Sequence, residues 1–317
     1  MATVIPVTAD YGSQKIATPK NFLSTNIAGS NVVANADGTL TINLPPVPPE
    51  ASVASAGRNL VIQSASTTQA VVMADEMVLK NASNVPLLVR NVNFTLDITL
   101  GVALNGFETG AVRGVSRWYY IWMISNGSNV RGVLEDAGAG DGILPGGPDL
   151  SGGVFAGYTY MAIVGQIRLN ATGSGDMVAF AQFDRTVWIE DALIFTGQIA
   201  AVNDAWEVLA GANLTNFRAA VPPTGRSCRG SVGSIATNQN GFIVLGGGNA
   251  DGTLNSTVPI GTVYVTLNVL ATLNAGFTSA TDYSIPVRGG AGRNIQWKTN
   301  RPDAIGRARL FVSGYTF

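Results

Sequence analysis

The feature that most constrains this chain is a period-2 alternation of apolar and polar residues, interrupted every ~8–12 residues by glycine- and asparagine-rich turn signals. In "NVNFTLDITL" (91–100), Val92, Phe94, Leu96 and Ile98 fall on one face of an extended chain and polar side chains on the other. "TVYVTLNVLATL" (262–273) repeats the pattern through Val263, Val265, Leu267, Val269 and Ala271. Further strands are expected at 118–125, 158–169, 177–189, 241–246, 293–299 and 308–317. Turn signals lie between them: "SNGSN" (125–129), "NATGSGD" (170–176), "NQNG" (238–241) and "GGGNADGT" (246–253). This spacing predicts an all-β sandwich or barrel. "AAVNDAWEVLAGANL" (200–214) admits a short helix, since Val202, Trp206 and Leu209 share a helical face. It lacks a cap and Val208–Leu209 also suits a strand, so the strand reading is preferred.

Residues 1–50 differ from the rest. They end in "INLPPVPPE" (42–50), where four prolines within five positions predict an extended polyproline spacer. Before it, Asp37–Gly38 marks a turn feeding a strand in "NADGTLTINL" (35–44). Such an arm is too poor in apolar residues to fold alone and is suited to pairing with a neighbour, with Ile27, Leu40, Ile42 and Leu44 as its anchoring positions. The expected organisation is therefore an arm over 1–50 and a β domain over 51–317, with a two-tier split near 195 as the alternative. "NADGTL" recurs at 249–254, but its flanks do not align and no tandem repeat is read.

Composition narrows the function. The chain has no histidine, one cysteine and only 12% charged residues, against about 25% in an ordinary domain. Hydrophobic residues reach 46%, which predicts surface buried against other subunits. The longest apolar run, "WYYIWMI" (118–124), is far below the ~20 residues of a spanning helix, so no membrane insertion is expected. A net charge of −1 gives no reason to expect nucleic acid. The basic stretch at 292–311 is interrupted by Asp303 and its arginines fall on strand-like spacing. Cys228 reads as a buried thiol, and "MATVIPVTADYGSQK" carries no secretion signal.

The residues that could carry chemistry are few. A serine nucleophile would need lysine or a carboxylate as base, and Lys15, Lys20, Lys80 and Lys298 form no Ser-x-x-Lys pattern. "EDAGAGDG" (135–142) offers Glu135, Asp136 and Asp141 as weak cation ligands, matching no specific loop formula. Adjacent acids such as Glu135–Asp136 and Glu190–Asp191 point to opposite faces of a strand and read as solvated loop carboxylates. No cofactor is expected. The aromatics are the richest feature: Trp118, Tyr120 and Trp122 on one side of a strand, Tyr119 on the other, then Tyr158 and Tyr160. Core or subunit interface is the preferred role, and a platform stacking on sugar rings the alternative.

The order of segments also resembles a known group. "VVMADEMVLKNASNVPLLVRNVNFTLDITL" (71–100), "RWYYIWMISNG" (117–127), "VRGVLED" (130–136), "GYTYMAIVGQIRLNATGSGDMVAFAQFDRTV" (157–187) and "VPPTGRSCRGSVG" (221–233) are similar to the β-sandwich domain of tailed-bacteriophage virion proteins of tail-fibre, receptor-binding and head-appendage type. The likeness covers about 70–315, and "NIAGSNVVANADGTLTINLPP" (26–46) resembles a fibre-type lead-in. It implies an all-β, jelly-roll-like β-sandwich with an extended N-terminal arm, assembled in the host cytoplasm into the virion. It also implies a homotrimer holding other virion proteins through the arm. The chain has no extended shaft, which favours a compact knob, a capsid decoration or a short adaptor. The expected function is therefore non-enzymatic and structural. A receptor-recognition module for bacterial surface polysaccharide is the alternative, and a polysaccharide-cleaving enzyme a third reading.

Overall fold

A computed structural model describes residues 32–34, 40–42, 57–139, 145–171, 175–197, 207–235, 241–247, 260–267, 279–287, 293–299 and 307–317. The chain divides into two units, Met1–Val53 and Ala54–Phe317. In the first, β1 (Val32–Ala34) and β2 (Leu40–Ile42) pair antiparallel, with Val32 opposite Ile42 and Ala34 opposite Leu40. Asp37–Gly38 lies in sequence between these two strands and outside the described residues. Ile27, Leu44 and the proline run lie outside the described residues.

The second unit is all-β, with antiparallel ladders and a single α-helix among the described residues. It begins with β3 (Gly57–Arg58), β4 (Val61–Ser64), β5 (Gln69–Lys80) and β6 (Pro86–Asp97). The aromatic strand β7 (Arg117–Ser125), β8 (Val130–Ala139) and β9 (Tyr160–Arg168) follow. Next come β10 (Phe180–Phe183), β11 (Thr186–Gly197), β12 (Glu207–Val208) and the helix α1 (Gly211–Ala220). The chain then forms β13 (Ser227–Ile235), β14 (Gly241–Gly247), β15 (Ile260–Leu267), β16 (Ser279–Pro286), β17 (Ile295–Thr299) and β18 (Arg307–Thr316). One sheet runs β16-β13-β18-β11-β10-β4-β5-β9-β7-β8, with β3 and β6 also on β5, and a smaller one runs β12-β17-β14-β15. Strands from both sides of residue 195 thus share one sheet.

The β5–β6 hairpin shows how the pattern builds the fold. Val92, Phe94, Leu96 and Ile98 are all buried, as their spacing predicts, and Ala70, Val72 and Ala74 are buried on the strand beside them. Beyond them the inward face changes parity, to Met77 and Leu79 on β5 and Val89 on β6. The change coincides with Asn91, whose φ of 53° lies in the left-handed region. The loop at 81–85 closes on Asn81, whose Oδ1 accepts the amides of Ser83 and Val85.

Strands β7–β9 continue from β5 through one residue pair, Lys80 with Met161, and pack back over the hairpin. A Cβ on Gly132 of β8 would stand 2.5 Å from both Phe94 and Leu96, so only glycine allows this approach. On the neighbouring side, Gln182 Nε2 of β10 donates to the Val164 carbonyl of β9 at 2.6 Å. Two layers therefore share one core, with Phe107 and Tyr119 in edge contact at 5.1 Å inside it.

Several expectations change. The run 177–189 is two strands, because Asp184 turns the chain with φ 52° and its carbonyl is held by Gln182 Nε2. In 200–214 the preferred strand appears as β12 (Glu207–Val208), and the helix begins only at Gly211 and runs on to Ala220. Strands β3, β4, β5, β8, β13 and β16 go beyond those expected from alternation. Among the described residues, no helix is long and apolar enough to cross a membrane.

Candidate functional site

The aromatic strand β7 lies between β8 and β9, and its own chain covers both of its faces. Trp118 is 2% exposed and Tyr120 is fully buried. Trp118 donates from Nε1 to the Arg218 carbonyl of α1 at 3.0 Å and meets Tyr315 of β18 edge-on at 6.0 Å. Further along the same face, half-buried Trp122 and Tyr158 pack on Ile124, Val133 and Phe155, a second small cluster supplied partly by the 150–158 segment. Tyr160 is half-buried against the main core. Trp118 and Tyr120 thus sit in the core, as preferred, and the sugar-platform alternative fails for both: α1 and β18 contact Trp118, and Tyr120 is fully buried. Tyr119, on the opposite side, donates to the Val112 carbonyl at 2.8 Å and accepts the Gly114 amide at 2.9 Å. Burial pushes its phenol up to about 12, and pushes Tyr120 up further, helped by the Glu135 carboxylate.

The acids of β8 are not solvated loop carboxylates, and this too is a correction. Glu135 is 7% exposed. Its Oε2 accepts Trp122 Nε1 at 2.6 Å, and its Oε1 accepts the Gly146 and Gly147 amides at 2.8 and 3.1 Å. Asp136 is paired with Arg117 and accepts the Gly138 amide at 2.8 Å. Glu108 mirrors Glu135 from outside the strand, accepting the Asp136 amide at 2.9 Å and the Asp149 amide at 2.7 Å. Burial raises the Glu108 carboxyl above the usual range, against those two amides, which lower it. Together these carboxylates tie the segments at 108 and 145–149 to β8. Asp141 lies outside the described residues, and no group of three potential metal ligands occurs among those described.

Alternation gave no sign of three other features. Arg293 is fully buried, donating from Nε to the Val221 carbonyl at 2.7 Å and from Nη2 to the Arg218 carbonyl at 3.1 Å. A cation there satisfies the last carbonyls of α1 and opposes the negative end of its dipole. Outside, Phe183 and Trp188 are 52% and 42% exposed, in edge contact at 5.6 Å, with the Arg229 guanidinium 4.1 Å over the Trp188 ring. Finally, Gln166 and Arg168 of β9 line a cleft beside Trp118 and Tyr315. The sequence clue to this last pair is a Gln and an Arg two residues apart at the end of the apolar run "MAIVGQIRL" (161–169).

No protein-family model matches the chain, and no curated protein matches it significantly.

Proposed function

We propose that this chain is a non-enzymatic structural component of a bacteriophage virion, a jelly-roll-type β-sandwich that self-associates and attaches through its N-terminal arm. One observation carries the reading. The acids and aromatics best suited to chemistry hold the chain's own loops and core, whereas large apolar side chains face outward. Val112 is 66% exposed, with Leu100, Val154 and Leu193 also on the surface. In a chain of low charge, such side chains are best accounted for by contact with further copies or other virion proteins. The trimer and the virion follow from the resemblance of the 71–233 segments and the 26–46 lead-in to phage appendage proteins.

The solution mass of the full chain tests self-association. A value near three times 32.9 kDa supports the trimer. Twice 32.9 kDa keeps the oligomer and removes the trimer, and 32.9 kDa at micromolar concentration ends the assembly reading.

Recognition of a bacterial surface glycan is a second reading, now favoured at Phe183 and Trp188, whose rings are exposed. Glycan-array binding that is lost in Trp188→Ala supports it. Binding that persists, or no binding by the full chain, removes it.

A further inference from the structure

We propose that the cleft between β7, β9, α1 and β18 is a binding site for a small carboxylate, with Arg168 and Gln166 as its hydrogen-bond donors. This goes beyond the assembly role and does not rest on it.

The register brings the donors together. In the β7–β9 ladder Arg168 lies opposite Trp118 and Gln166 opposite Tyr120. Two residues apart on one strand, Gln166 and Arg168 project to the same side. Trp118, Phe180, Ile189, Ala220 and Tyr315 wall the cleft with them. The cleft has about 20 Å³ open to the centre of a water-sized group, and about 260 Å³ of empty space when open solvent is included.

Among the described residues, one nitrogen of each donor is buried without a hydrogen-bond partner. Gln166 is 1% exposed, and its Oε1 accepts the Thr224 hydroxyl at 2.6 Å while its Nε2 is buried with nothing to bond. Arg168 Nη1 is likewise buried and unpaired, and none of the ion pairs among the described residues includes this arginine. Its guanidinium carbon lies 5.7 Å from the centre of the Trp118 ring. Burial lowers its pKa to about 10, so the group is still a cation at neutral pH. A protein interior rarely leaves a buried guanidinium nitrogen and a neighbouring amide N–H both without an acceptor.

The chemistry selects the ligand. Water could bond these donors, but it adds no negative charge, and the Trp118 ring beneath the half-buried guanidinium offsets only part of the positive one. A carboxylate supplies one negative charge and acceptor oxygens that match a guanidinium fork. Its flat shape suits a small cleft walled by Trp118, Phe180 and Tyr315. A phosphate dianion would bring two charges against one cation. The carboxylate could belong to a free small acid or to an acidic sugar, and the test separates the two.

Thermal unfolding of the full chain is followed in sodium acetate, sodium glucuronate and sodium chloride at one ionic strength. Acetate is expected to raise the midpoint with concentration beyond chloride, as a ligand of the native state must. The same rise with glucuronate assigns the site to an acidic sugar as well, and its absence restricts the site to small free acids. Arg168→Leu and Gln166→Leu should abolish or sharply reduce the acetate response. Arg168→Lys keeps the charge but loses the fork, and should weaken apparent affinity about tenfold. If Arg168→Leu does not fold, the lysine variant decides. An acetate response equal to that of chloride, or one unchanged in the Arg168 variants, overturns the proposal.

Discussion

Replacing Glu135 with alanine removes one acceptor from three donors at once: Trp122 Nε1 and the amides of Gly146 and Gly147. A buried donor left without a partner costs about 1–3 kcal/mol. The three do not contribute equally. Gly146 is exposed and Trp122 half-buried, so water can reach both and each belongs at the low end of that range. With Gly147 anywhere in that range, the total for Glu135→Ala is about 3–5 kcal/mol, or roughly 6–20 °C in midpoint for a unit of this size. Glu135→Gln keeps the shape and one acceptor oxygen, and should lose about half as much. Urea unfolding measures the free energy, and amide exchange shows where it acts. Gly146 and Gly147 should lose protection while the amides of β5 and β6 keep theirs. A loss below about 0.5 kcal/mol, the size of an ordinary surface change, would refute the idea that this carboxylate holds the 145–149 segment.

Gly230→Ala should cost at least about 3 kcal/mol or abolish folding, because the new Cβ would stand 1.9 Å from the Phe311 carbonyl oxygen at the β13–β18 bulge; unfolding midpoints check it. Cys228 is fully buried and burial pushes its thiol well up, so iodoacetamide should modify it only after denaturation. The Tyr119 phenol, raised from 10 to about 12, makes the folded state bind a proton that the unfolded state has lost between those values. Its contribution to stability should therefore be complete below about pH 10 and disappear as pH rises through about 12, which ultraviolet titration alongside unfolding measures. A chain beginning at Ala54, the start of the second unit, should fold with an unchanged midpoint and fail to join particles; normal incorporation would show that the arm is not the anchor.

Alternation made the strands legible wherever one face is buried. Val92 to Ile98 is the clearest case, and the "SNGSN" turn between β7 and β8 is held as asparagine chemistry suggests, with Asn126 Oδ1 accepting the Ser128 and Asn129 amides. Features fixed by distant residues were not legible. Helix α1 has no side-chain N-cap, and its end is secured by Arg293 and Trp118, about 75 and 100 residues away in sequence. The face switch near Asn91 likewise depends on one dihedral angle. The aromatics of β7 were recognised as important, but a strand buried on both faces has the same sequence pattern as one with an open platform. Glu135 looked like a loop acid because its partners, two glycine amides, leave no side-chain signature.

We propose that this chain is built into a phage particle. Quantitative mass spectrometry of density-purified virions from the host that carries this gene tests it most directly. The chain is expected in every particle at a fixed copy number divisible by three. Its absence from purified particles, with the protein confined to the soluble lysate, would rule out a place in the virion.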